Sequence, residues 1–587
     1  MPPRVLIVYA NPAITATPVA PYGAERIAHA LRIAGCDVRI ASPWLEVRPA
    51  AALRAELDSF APDLVGFSVR NVDDALIVRG EEGPGDLDTT FYLPAVRRLV
   101  REVQRRQIPV LLGGAALATM PEGVMRYLRV AHAIAGPADD LAWRLGRALA
   151  AGTPFPAALP DDPRVVRLDA PLGGRSERGE GPGGVAGGSP PPQAVPDRAR
   201  GDADAFRQVP GPTPRDAAWL ALAIAREGRV PVAVSAGCDR RCNFCVEASF
   251  LGWRVRGRAV EEVVHEVRLL RQAGVRRVWL AASELNVPDA RHATAVLRAR
   301  AAARIDVDVT GFLQPAPVDD ELLDAFVEVG VDPSTLSWEF GHLDDALLRA
   351  GAGPANRASI DALVNRYVRR GHRVLGGSIL LGAHPNEDDA SVDRALASAR
   401  ALDAALPGGL GLAYAAGGRV YAAAPLGRWV RANLAAVRPH LYGTVTPGFV
   451  APLVYCRPGS PRALLRRIRE GLAGCRGPMA PLNAEAAASA SALRAEHAIN
   501  RAVLAAARQD PAAAARAARA ALKLAPDHPE ALKQLGLALA NGTGDLDGAL
   551  AAFRRLRRLL PPDRATELDG VLTHLVALGA RAPAESP

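Results

Sequence analysis

Three of the chain's 6 cysteines fall close together in the segment AGCDRRCNFCVE. Cys238, Cys242 and Cys245 stand there in C-x3-C-x2-C spacing, directly after an apolar run that reads as a strand. Three thiolates set this densely can hold three irons of a [4Fe–4S] cluster and leave the fourth iron open to a ligand. A structural zinc site usually needs a fourth ligand at similar density, and the next residues offer none. Inert thiols are the remaining reading, because 6 cysteines in 587 residues do not make a disulfide scaffold. The other three, Cys36, Cys456 and Cys475, read as small buried hydrophobes.

Further polar residues follow in chain order at the ends of apolar runs. AASELN carries Ser283 and Glu284, LSWEFG carries Ser337 and Glu339, and GGSILLGAHPNE carries Gly377, Ile379 and Gly382. Arg256, Trp338 and Tyr421 are placed by position to line a cavity, with packing as the alternative for each.

Strand–helix alternation must position these groups. Within residues 216–440, VPVAVSAGC, RRVWLAASELN, IDVDVTGFLQ, TLSWEF, VLGGSILLG and GLAYAAGGRVY are successive strand candidates, which predicts a full or partial β/α barrel. Residues 1–150 show five buried parallel-strand runs, at 5–9, 37–41, 64–69, 109–114 and 131–136, with helical stretches such as 22–34 and 91–106 between them. That pattern predicts a doubly wound sheet with a ligand at its strand carboxyl ends. No G-x-G-x-x-G follows the first strand, which disfavours a nicotinamide site. Residues 151–215, extreme at 173–193, are too rich in Gly, Pro and charge to bury a core and read as a linker or insertion. A connecting segment follows at 441–490. Residues 491–587 are helical and Ala-rich, with Ala531, Leu535, Gly536, Ala549, Phe553 and Pro561 at tetratricopeptide (TPR) spacing. A degenerate copy spans 497–526 and a last helix 565–578; a generic helical bundle is the alternative.

The charge, 71 basic against 62 acidic residues, is weak testimony for a partner. Only Lys523 and Lys533 are lysine and the rest are arginine, a bias expected of a GC-rich genome. Nucleic acid is therefore not an expected partner. No apolar run approaches the roughly 18–20 residues of a bilayer crossing, and the N-terminus lacks a signal-peptide layout, so no membrane association and a cytoplasmic location are expected.

The cysteine motif, with the aromatic Phe244 directly before its third cysteine, resembles that of the radical S-adenosylmethionine superfamily. The resemblance implies a cluster on Cys238, Cys242 and Cys245, with S-adenosylmethionine on its open iron. It also implies Ser283 and Glu284 at the methionine amino group, Ser337 and Glu339 at ribose or carboxylate, and Gly377, Ile379 and Gly382 packed on adenine. A sheet domain ahead of such a core resembles the cobalamin-binding subgroup. That implies cobalamin contacts from Pro21, Tyr22, Gly23, Ser68, Arg70, Asn71, Gly113 and Gly114.

One departure matters. There is no Asp-x-His-x-x-Gly segment, and the domain's two histidines, His29 and His132, sit in helix and strand contexts. Base-off cobalamin without a histidine ligand is the expectation. Arg70 is the candidate catalytic residue facing the lower side of cobalt, since a guanidinium has no lone pair to donate; the alternative is a pair with Asp73 or Asp74.

The fold class implied is α/β: a Rossmann-like cobalamin domain, a radical SAM partial barrel and an all-α TPR-like tail. The combination resembles the class B methyltransferases, in particular their tryptophan 2-methyltransferase branch. Such enzymes move a methyl group from S-adenosylmethionine through methylcobalamin to carbon of a small-molecule or peptide-derived acceptor, C2 of tryptophan in that branch. A low-potential electron donor such as flavodoxin or ferredoxin is implied as a partner. The tail would either recruit a protein partner or, the preferred reading, cap the barrel. Two other functions stay open: cobalamin-dependent rearrangement or cyclisation, and a non-catalytic cobalamin/TPR sensing scaffold.

Overall fold

The computed structural model describes residues 1–12, 19–74, 77–78, 85–168, 211–482 and 490–580; the Gly/Pro-rich run at 173–193 lies outside them. The β-branched runs near the N-terminus form Arg4–Ala10 (β1), Asp37–Ala41 (β2), Leu64–Val69 (β3), Val110–Gly113 (β4) and His132–Ile134 (β5). They pair in parallel in the order β2-β1-β3-β4-β5, and Val165–Arg167 (β6) adds an antiparallel edge beside β5. The sheet thus continues past residue 150, into a stretch whose composition reads as linker.

Alternation splits the side chains between two helical layers. Leu6, Val8, Phe67 and Val69 pack with Leu53, Leu57, Val96 and Leu99 on one face. Val5, Ile7 and Leu64 pack with Ala28, Leu31, Leu141 and Leu145 on the other. Strand order reverses between β1 and β3, the position where open α/β sheets bind ligands at their carboxyl ends.

The second domain begins at Val230–Ala233 (β7). Ser235–Ala236 (β8) and Arg256–Gly257 (β9) form a short antiparallel ribbon at the base of the cysteine loop. Arg277–Ala281 (β10), Asp308–Thr310 (β11), Ser337–Gly341 (β12), Leu375–Leu381 (β13) and Leu410–Ala416 (β14) follow. Gly418–Arg419 (β15), Leu441–Gly443 (β16) and Leu453–Tyr455 (β17) make a small antiparallel sheet, and Met479–Pro481 (β18) closes the series. Strands β7, β10 and β11 pair in parallel, as do β12, β13, β14 and β18, and a parallel bridge from Leu313 to Trp338 joins the two groups. The result is a partial β/α barrel, as expected, and its sheet extends beyond residue 440 to β18. Val278, Leu280, Trp338, Phe340, Ile379, Leu381 and Leu412 point outward into the core shared with the helices. The residues between them face the lumen.

Buried ion pairs bolt the two domains together. Arg215 bridges Glu25 of the first domain (3.0 Å) and Glu266 of the barrel (2.6 Å), and Arg258 also holds Glu266 (2.6 Å). At the opposite junction Arg419 donates to Asp73 at 2.8 Å, with the two side chains 5% and 1% exposed.

The tail contains two antiparallel helix pairs, Ala490–Ala507 with Pro511–Leu524 and Pro529–Ala538 with Leu546–Leu559, then a final helix, Asp569–Ala577. Its first helix packs Val503 and Leu504 on Tyr9, Leu45, Trp219 and Leu222. Contacts of this helix therefore lie at the carboxyl ends of β1 and β2 and on the helix preceding β7. The expected cap over the barrel is instead a seal on the edge of the first sheet.

Two outcomes are expected. Arg419→Met leaves Asp73 buried without its guanidinium, and should lower unfolding stability by about 3 kcal/mol, read from denaturant midpoints. Glu496 accepts from Arg226 and, at 3.0 Å, from His528. Burial pushes its carboxyl up, but those two partners outweigh it and hold the pKa below the ordinary value. A depressed carboxyl contributes stability above its unfolded pKa and loses it as pH falls through the folded one. Hydrogen-exchange protection factors across 490–507 should therefore fall as the pH drops below about 4, and Glu496→Gln should remove that dependence.

Candidate functional site

The cysteine loop is shaped by its neighbours. Gly237 takes φ +102°, and a side chain there would run into the carbonyl of Arg254 across the ribbon. Cys238 donates its N–H to the Gly252 carbonyl at 3.0 Å, which closes the loop. Asn243, between the second and third thiols, pins it to the turn after helix Asp345–Arg349 and to the end of β13: its N–H donates to the Gly351 carbonyl (2.9 Å) and its side-chain amide to the Ala383 carbonyl (2.8 Å). The Arg240 and Glu247 N–H groups donate to the Cys238 and Cys245 sulfurs, the latter at 3.4 Å. Phe244 is half-buried in the same loop.

All three cysteines are free thiols. Burial pushes each one up, Cys245 to about 12, so as bare thiolates they lack compensation. Among the described residues no three His, Cys, Asp or Glu side chains are gathered as one metal ion requires. Backbone N–H donors to sulfur and a dry surround suit thiolates that ligate a cluster.

Carboxylates face this cup across the strand ends. Ser283 and Glu284 follow β10, and Ser283 donates to Glu247 at 3.0 Å. Glu339 points into the lumen from β12 and accepts from Ser378 of β13. Burial, then the charges of Glu339 and Glu247, raise the Glu284 carboxyl to about 9 against the pull of Arg240. Its Oε2 is buried without a partner. An ammonium ion beside Glu284 would restore the carboxylate, so this pocket fits the amino group of S-adenosylmethionine.

On the first domain, Tyr9, Ser68 and Gly113 form one transverse row across β1, β3 and β4. Side chains built at Gly66 and Gly113 would meet no atom within 4 Å, so the sheet face beside Ser68 is an open trough. Gly114 turns the chain at φ +97°, where a Cβ would lie 2.5 Å from the Val69 carbonyl. The trough's open glycine face leaves space beside Ser68 into which an arm of cobalamin would fit. Arg70 ends β3 with its guanidinium at the Tyr9 hydroxyl, while Asp73 is held by Arg419 and Asp74 accepts from the Thr90 N–H at 3.1 Å. Asn71 follows Arg70, half-buried. His132 packs edge-on against Phe155.

Residues 419–426 stitch the two halves. The Ala423 N–H donates to the Thr119 carbonyl beyond β4, and the Leu426 N–H to the Asn243 carbonyl in the cysteine loop. Tyr421 lies between, half-buried, with Arg419 over its ring at 5.2 Å; desolvation and then Asp73 raise its hydroxyl.

Several sequence expectations change. Trp338 is fully buried on the helix side of β12, bonded to the Tyr367 hydroxyl at 3.0 Å, and lines no cavity. Gly377 and Ile379 share that outer parity, and a side chain at Gly377 would enter the Phe340 ring. Ser378 and Leu380 alternate with them toward the lumen. Ser337 is exposed at the amino end of β12, away from the strand ends where the cysteines lie. Gly382, at φ +81°, serves close packing against Leu464 and Cys456. Tyr22 is a domain contact: its hydroxyl accepts from the Ala233 N–H (3.1 Å) and its ring lies 4.3 Å from the Arg215 guanidinium. Pro21 and Gly23 flank it at the start of helix Tyr22–Ile33. Arg256 lies in the ribbon strand β9.

Sequence reasoning passed over Trp279, Phe312, Gln314 and Arg240, which the strand ends also gather here. Cys242→Ala should abolish iron and sulfide retention after anaerobic reconstitution of the chain. Cys456→Ala and Cys475→Ala should retain both at the wild-type level, as measured by elemental analysis.

Comparison with known proteins agrees with this division. Residues 14–145 match the B12 binding domain, and residues 232–399 match the radical SAM superfamily. A tryptophan 2-C-methyltransferase from Streptomyces laurentii is 25% identical over 368 residues, covering 54% of this chain and 57% of the relative. The ribosomal protein uS12 methylthiotransferase RimO from Kineococcus radiotolerans is 34% identical over 174 residues, covering 28% of this chain and 35% of the relative. The chain thus spans little more than half, or less, of the length of these curated relatives. The radical S-adenosylmethionine methyltransferase TsrM from Kitasatospora setae, solved with cobalamin and a [4Fe–4S] cluster, superposes with TM-score 0.63 at 20% identity, over 89% of this chain and 100% of that one. The cobalamin-dependent radical enzyme OxsB superposes with TM-score 0.56 at 11% identity, over 100% and 82%. The chain thus carries a match to the B12 binding domain followed by a match to the radical SAM superfamily, each on its own α/β sheet.

Proposed function

We propose that the protein is a cobalamin-dependent radical SAM methyltransferase acting on carbon of a small aromatic acceptor, with tryptophan as the first candidate. One observation carries the reading. Residues 419–426 bond both to the loop beyond β4 and to the cysteine loop, so the loops that carry the two candidate cofactor sites meet at one junction. The similarity to a tryptophan 2-C-methyltransferase supports the acceptor class. So does an aromatic pair in the lumen: Trp279 and Phe312 meet edge-to-face at 4.8 Å, and Phe312 is 44% exposed there.

Bound together, S-adenosylmethionine and cobalamin supply a transferable methyl group, and the cluster supplies electrons. The chain's residues do the rest. Cys238, Cys242 and Cys245 hold the irons, and Glu284 takes the donor's ammonium group. Ser68 and the open faces of Gly66 and Gly113 admit the cobalamin arm. Arg70, kept in place by the Tyr9 hydroxyl, presents a permanent cation with no lone pair for a metal. Tyr9 is itself fixed, since it donates to the Val19 carbonyl and accepts from the Asn11 side chain, each at 3.1 Å. Core side chains around the junction exclude water.

Anaerobic assay with methyl-labelled S-adenosylmethionine tests the proposal: label should appear in tryptophan, and its absence from every small aromatic acceptor offered would refute it. Arg70→Lys should keep cobalamin loading and change the methylation rate at least tenfold. An unchanged rate would remove Arg70 from the catalytic machinery.

A further inference from the structure

Gln314 follows β11 at its carboxyl end and is 0% exposed, yet neither its Oε1 nor its Nε2 has a hydrogen-bond partner. A buried primary amide with both ends unpaired is rare among folded proteins. The backbone around it is not loose. Asn286 accepts from the Gln314 N–H (3.1 Å) and donates to the carbonyls of Gln314 (2.7 Å) and Pro317 (2.8 Å). Leu313 bridges to Trp338 and both face the outer core. By strand alternation Gln314 and Glu339 therefore share the lumen side. The Leu285 N–H donates to the Phe312 carbonyl and the Glu339 N–H to the Leu313 carbonyl, so Glu284, Gln314 and Glu339 stand on adjacent segments at one level. Arg240 reaches the same loop from beside Cys238, donating to the Ala316 carbonyl at 3.2 Å.

We propose that Gln314 is a ligand-recognition residue for a zwitterionic α-amino acid head group. Its Oε1 accepts from the ammonium group and its Nε2 donates to the carboxylate, while Glu284 and Glu339 favour the positive end. A carboxylate-only or apolar ligand would leave Oε1 unpaired. Two molecules offer the head group: S-adenosylmethionine, through its methionine end, and an amino-acid acceptor such as tryptophan. The inference rests on the barrel being where methyl donor and acceptor bind.

Equilibrium dialysis on the anaerobically reconstituted full chain tests it, with S-adenosylmethionine, tryptophan, and the decarboxylated forms of each as probes. Gln314→Leu and the near-isosteric Gln314→Glu should retain iron at the wild-type level and weaken at least one parent probe tenfold or more. Loss confined to S-adenosylmethionine assigns the head group to the donor, and loss confined to tryptophan assigns it to the acceptor. The matching decarboxylated probe should lose far less. Unchanged affinity for both parents, no binding of either parent by wild type, or equal loss of parent and decarboxylated probe overturns the proposal. Failure of the methyltransferase reading is a separate result, read as wild type that binds these probes yet transfers no label.

Discussion

A carboxylate and a guanidinium buried against each other, Asp73 and Arg419, fix how the first domain meets the barrel. Asp73 lies just beyond β3, three residues after Arg70. Arg419 begins the segment that also bonds the cysteine loop. A buried pair of this kind adds little net stability over an apolar contact, but removing one partner strands a charge out of water. Its effect is registry: alternative dockings of the two sheets would leave Asp73 uncompensated. The Glu25–Arg215–Glu266 network repeats the device on the opposite side, so the junction is clamped from two directions.

Within that frame the site is built from groups that lack compensation. Buried thiols, the Glu284 carboxyl and the Gln314 amide are held dry without the counter-charges or partners they require. The packed helices and strands around them supply the stability that maintains this arrangement. Ligands that bring cationic or paired polar groups would stabilise the folded chain, because they bind it and not the unfolded state.

Much of this was legible in sequence. Asp37–Ala41 and Leu64–Val69 form strands with the bounds their β-branched runs predict. Cysteine spacing found the cup, because its ligands come from one short loop. Parity was the weak point. Glu339 and Trp338 cannot both face a lumen when successive strand side chains alternate, and the same rule separates Ser378 from Gly377 and Ile379. The edge strands β6 and β18 escaped because each has three residues and exists only through its neighbour. Gln314 gave no motif; it stands out only once burial shows that its amide has no partner. The tail's docking depends on Val503 and Leu504 meeting Tyr9 and Trp219, contacts between distant segments that no local pattern encodes.

In the proposed enzyme the cluster cup and the cobalamin trough face one clamped junction. Pulsed electron paramagnetic resonance on the chain loaded with a reduced cluster and paramagnetic cobalamin measures this directly. A resolved dipolar coupling between the two spins, weakened by Arg419→Met, is the predicted result. Two fully loaded centres with no detectable coupling would rule out a shared junction.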